Sequence, residues 1–146
     1  WLSLIEAGAV ARTIDVGLTS EARQVAIERS VGAAREMDDL TRRYGDSREL
    51  CLSAWTRLCP LSENGACVVF ANRPVACILY GAPGEPAAAL WEKTLEPALT
   101  DLSQQIFLAL AGTMGEAHLP HFALPDVASG RYVSAVFQYL LARSRR

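Results

Sequence analysis

Residues 86–112 read PAAALWEKTLEPALTDLSQQIFLALAG, and the reading of this stretch decides the fold. Trp91, Leu95, Ala98/Leu99, Leu102, Ile106 and Ala109/Leu110 recur every three or four positions, the spacing that lines one face of an α-helix. Pro86 suits a first helical turn, where its missing N–H is not needed, and Gly112 suits a C-cap. Pro97 interrupts the pattern, so a kink or a meeting of two helices is expected near Leu95–Glu96. Leu90, Phe107, Leu108 and Leu110 spread apolar surface beyond one core face. A helix contacted on several sides is expected, with Leu90 and Phe107 among the residues that meet a partner.

Upstream, the apolar, β-branched-rich runs Ala66–Phe70 and Val75–Tyr80 flank Ala71–Pro74, which predicts a short β-hairpin at about residues 66–80. Residues 81–85, GAPGE, lack the Gly-Lys-Ser/Thr ending of a phosphate loop and read as a connector. Ser20–Tyr44 carries a strong helical stripe, with Thr19 or Ser20 as cap, Glu21 in the first turn, Arg42 and Arg43 in the last and Gly45 beyond. Asp46-Ser47-Arg48-Glu49 resembles a capping box and predicts a further helix of about three turns before Pro60. Residues 1–18 predict a short helix to Arg12 followed by an extended piece. Downstream, residues 113–129 read as a loop. Tyr132/Val133, Val136/Phe137 and Leu140/Leu141 mark a last helix from near Ser129-Gly130 into a basic tail.

The expected class is therefore α+β, mainly α: three to four helices around a central kinked helix (about 86–112), with one short β-hairpin (about 66–80). The 146 residues suit a single domain, 1–146, with an N-terminal arm (1–18) and a basic C-terminal tail (143–146).

Composition excludes more than it names. Net charge is −2, which gives no general attraction to nucleic acid. No apolar run approaches the roughly 18 residues that span a bilayer, although a membrane-adjacent assembly stays open. Apolar residues make up 51% and charged residues 21%, a surplus that hints at a partner surface. Thirteen of the fourteen basic residues are arginine, which compositional bias explains more simply than interface chemistry. A chain starting at Trp1 reads as processed or trimmed. Trp1 and the Arg143, Arg145 and Arg146 tail join Leu90 and Phe107 as interface candidates.

Cys51, Cys59, Cys67 and Cys77 contain no CxxC pair, so zinc-ribbon and thioredoxin readings have no support. Their nesting permits Cys59–Cys67 and Cys51–Cys77 as two disulfide rungs. Those rungs, with the C-x9-C spacing of Cys67 and Cys77, resemble the coiled-coil-helix proteins of the mitochondrial intermembrane space. Only one spacing fits, however, and Pro74 lies inside it. Buried free cysteines acting as small hydrophobes are the expected state. Glu116, His118 and His121 are the one cluster with metal-ligand chemistry, but Pro120 keeps both rings off a single helix face and there is no third histidine. No nucleophile elbow, kinase signature or HExxH helix occurs, and no cofactor is implied.

The expected function is a non-catalytic accessory or scaffold subunit of a larger assembly, acting through contacts with other protein subunits. Such a protein would be soluble, with a mitochondrial or other organellar setting the guess that fits a processed end. The alternative is a self-contained ligand-binding or regulatory module with a pocket lined by Phe70, Tyr80 and Trp91. A metal- or thiol-dependent enzyme is the third reading.

Overall fold

The structure, a computed structural model, describes residues 1–45, 59–79, 84–112 and 119–144. The fold is mainly helical with one small antiparallel hairpin, and a long joined helix runs through it. Helix α1 spans Leu4–Gly17 and α2 spans Ser20–Tyr44. A two-residue strand pair follows, β1 (Ser62–Glu63) with β2 (Ala66–Cys67). Next come a 3-10 turn at Phe70–Asn72 and a short helix α3 (Val75–Leu79). The joined helix comprises α4 (Gly84–Leu90), a π turn (Trp91–Leu95) and α5 (Glu96–Ala111). Helices α6 (Leu124–Ala128) and α7 (Arg131–Ser144) close the described chain.

Residues 1–18 form a core helix instead of the expected short helix and extended arm. Ser3 caps α1 and Glu6 answers it: the Glu6 carboxylate accepts from the Ser3 N–H at 3.0 Å and the Ser3 hydroxyl at 2.9 Å. Leu4, Ala7, Val10 and Ile14 then follow the helical period and are all buried, which carries the helix past Arg12 to Gly17. An antiparallel bridge ties the start of the chain to the segment before α6, with Leu2 and Phe122 exchanging N–H···O bonds of 2.7 and 2.9 Å.

Helix α2 has the predicted ends. The Thr19 hydroxyl accepts from the Ala22 N–H at 3.2 Å, and Gly45 (φ 79°) donates back to the Thr41 carbonyl at 2.9 Å. Its buried face is Ala26, Ser30, Ala33 and Ala34, small enough for α6 to pack closely against it. The helix expected over residues 46–58 lies outside the described residues.

The hairpin occurs, but at residues 62–67 and not across 66–80. Asn64-Gly65 makes its turn with φ of 50° and 80°, the doubly positive pair of a type I′ turn. The expected second strand is instead α3. Arg73 takes the extended conformation that a following proline demands, Pro74 accepts the first helical N–H bonds, and the Glu6 carboxylate accepts from the Val75 N–H at 3.0 Å. A side chain 69 positions away in sequence thus caps a helix whose β-branched residues favour a strand by themselves.

The joint in the central helix falls where Pro97 predicts it. Proline cannot donate to the fourth carbonyl before it, and its ring crowds that carbonyl. The helix widens by one residue there, and the Glu96 N–H bonds to the Trp91 carbonyl. Past the joint, Ser103 and Phe107 face inward: the Ser103 hydroxyl accepts from the Ile5 N–H at 3.3 Å, and Phe107 meets Tyr139 of α7 edge-on at 5.4 Å. Gly112 ends α5 at φ 71°.

Part of the expected loop over 113–129 is ordered as α6. Pro125 enters in its first turn, and Val127 and Ala128 are buried against α1 and α2. Arg131 bridges the start of α7 to Asp38 of α2 at 2.9 Å and to Asp126 of α6 at 3.3 Å. Burial pushes the Asp126 carboxyl above its ordinary range; Arg131 opposes that shift and Asp38 adds to it. Among the described residues, no helix is long and apolar enough to cross a membrane.

Candidate functional site

Two surfaces stand out once the fold is assembled: a cleft at the start of α1, and an apolar face on α7. The cleft, about 550 Å³, lies between the N-cap of α1, the first turns of α5 and the segment 119–121. Its walls include Glu96, Thr100, Asp101, Gln104 and His121. A smaller niche shares Ser3, Glu96, Thr100 and His121 with it and adds Trp1, Glu6 and Trp91. The π turn sets this arrangement, because it rotates Trp91 relative to the helix that follows.

The second surface comes from a helix with two apolar stripes. Tyr132, Val136, Tyr139 and Leu140 of α7 pack on the core. Val133, Phe137 and Leu141 repeat every four residues on another face and are 57%, 59% and 42% exposed. Val133 also borders an open groove of about 530 Å³ between α1, α2 and the α6–α7 turn. That groove holds Arg12, Asp15, Val16 and Arg23. Arg23 pairs with Asp15 at 3.0 Å, while its Nε is buried with no hydrogen-bond partner among the described residues.

The predicted site residues fall unevenly on these surfaces. Trp1 and Leu90 are exposed. Phe107 is 1% exposed, because the turn of α5 that carries it packs against α1 and Tyr139 of α7. Arg145 and Arg146 lie outside the described residues, and of Arg143 only the helical backbone is described. His121 is exposed on the cleft wall, while Glu116 and His118 lie outside the described residues. Among the described residues, no three His, Cys, Asp or Glu side chains converge as metal ligands.

The cysteines differ from the expected buried state. Cys59 and Cys77 are exposed free thiols, Cys67 is a half-buried one, and Cys51 lies outside the described residues. Cys59 lies just before the hairpin, Cys67 in β2 and Cys77 in α3. Partial burial nevertheless pushes the Cys59 and Cys77 thiols up, and neighbouring thiols add to the shift in both. A thiol kept protonated in this way is a poor nucleophile. The pocket expected from Phe70, Tyr80 and Trp91 is not assembled from the described members: Phe70 is exposed under the Arg73 guanidinium, 3.9 Å from its ring centroid, and Tyr80 lies outside the described residues. The niche that Trp91 lines was not legible in the sequence because its walls come from three separate segments. Compared with known proteins, the chain matches no family model, no curated protein and no solved structure.

Proposed function

We propose that this protein is a non-catalytic accessory or scaffold subunit of a multi-protein assembly, and that α7 is its principal contact. The observation that carries the proposal is the second apolar stripe, Val133, Phe137 and Leu141, on a helix whose other stripe already fills the core. One stripe suffices to fold an amphipathic helix; a second leaves apolar surface in water at about 25 cal/mol per Å². Three side chains cover much less than the roughly 800 Å² per partner of a stable interface. The adjoining groove extends the surface past Val16, and Leu102, Leu108 and Leu110 leave further exposed apolar area on α5.

The occupant that fits is an amphipathic helix of a partner subunit, with apolar residues at three-and-four spacing and an acidic end. Its carboxylate would meet the guanidinium groups of Arg12 and Arg23, which both line the groove. Phe137→Glu tests this, because an exposed substitution changes folding by about 0.5 kcal/mol or less. The expected result is a native complex in cell extract that drops to the mass of the lone chain, with the melting temperature of the purified variant unchanged. An unaltered native mass for both Phe137→Glu and Arg23→Glu overturns the proposal.

A further inference from the structure

Given that α7 and the groove beside it are the contact surface, we propose that Gly8 seats the partner: a large apolar side chain of the docked helix rests on the bare backbone of α1 at Gly8. Glycine inside a helix loses more backbone entropy than any other residue and brings no side chain to pack, so it weakens the helix relative to alanine. Gly8 lies within α1, and its backbone is helical and outside the left-handed region, so no turn or cap calls for glycine there. A Cβ at Gly8 would meet nothing within 4 Å among the described residues, so no close approach inside the fold calls for it either. The fold bears the cost of this glycine without using it.

Its position says what does use it. Gly8 is exposed and lines the groove of about 530 Å³ between α1, α2 and the α6–α7 turn, so a larger residue would project into that space. Gly8, Ala11, Arg12 and Asp15 follow the helical period along the groove side of α1, and Val16, Ile27 and Val133 make its walls apolar. A bare backbone between apolar walls is a hole that takes a knob from a neighbouring helix.

The charges beside Gly8 fix the rest of the partner's pattern. Arg12, one turn on, has no ion-pair partner among the described residues, whereas Asp15 is paired with Arg23 at 3.0 Å. Two guanidinium groups and one carboxylate thus line the groove, leaving an excess of positive charge. The partner helix therefore carries an aspartate or glutamate three or four residues from its apolar knob, within reach of Arg12.

The test compares Gly8→Ala, Gly8→Leu and Ala9→Leu by melting of the purified chains and by native mass in cell extract. Ala9 is exposed and lies outside the groove, so it controls for added bulk on α1. Gly8→Ala is expected to melt about 1–4 °C above the parent. Gly8→Leu is expected to melt no lower than the parent and to run at the mass of the lone chain, and Ala9→Leu to keep the complex. Gly8→Leu at the parent's native mass, with Phe137→Glu dissociated, overturns this inference and leaves the subunit reading standing. An intact complex in both Phe137→Glu and Arg23→Glu overturns both. Variants of Gly8 that melt below the parent overturn the inference, because the fold then needs the glycine, as does equal dissociation of Ala9→Leu. A purified parent chain at twice its own mass that Gly8→Leu returns to single mass would place a second copy in the groove and overturn the assignment to a partner subunit.

Discussion

Glu6 is the residue whose removal tests the fold most sharply, because it joins two helices that sequence places far apart. Glu6 is 8% exposed, and its carboxylate accepts three hydrogen bonds, from the Ser3 N–H, the Ser3 hydroxyl and the Val75 N–H. Glu6→Ala leaves two backbone donors without their acceptor, one of them on the buried Ser3 and the other on half-buried Val75. Each stranded donor costs about 1–3 kcal/mol, and relief from burying a carboxylate offsets part of that, so a net loss of about 2–3 kcal/mol is expected. In a domain of this size that corresponds to a fall of roughly 5–10 °C in melting temperature. Ser3→Ala removes only the local cap and should cost about 1 kcal/mol. Hydrogen exchange separates the two effects: the Val75 amide should lose protection in Glu6→Ala and keep it in Ser3→Ala. A Glu6→Ala protein that melts within about 2 °C of the parent, with the Val75 amide still protected, would refute the reasoning.

Two further outcomes follow from the titrating groups. Asp126 has a raised pKa in the fold, so its stabilising contribution is present at low pH, where it is protonated, and is lost as pH rises from the ordinary carboxylate range through the folded value. Asp126→Asn should therefore melt higher than the parent at pH 7, with the difference shrinking on acidification, as a pair of melting series would reveal. Cys59 and Cys77 should react with iodoacetamide more slowly at pH 7.5 than an unperturbed cysteine does, despite their exposure, and accelerate only at more alkaline pH, as peptide mass spectrometry measures.

The sequence determined the elements whose signals are local. The Ser20–Tyr44 helix carries its caps and its small inner face within its own residues, and Pro97 marks the joint of the central helix because a missing N–H acts within one turn. Two local signals were legible and went unread: Ser3 with Glu6 is a capping box, and Asn64-Gly65 is the tight-turn pair that sets the true hairpin. Tertiary structure decided the rest. Val75–Leu79 is helical because Glu6 reaches it, Phe107 is buried because α1 and α7 close over it, and the cleft exists because residues 1–6, 91–104 and 119–121 converge. Propensity and periodicity describe a segment's own backbone and faces; which face meets another segment, and which carboxylate reaches which N–H, depends on contacts between residues that the chain order holds far apart.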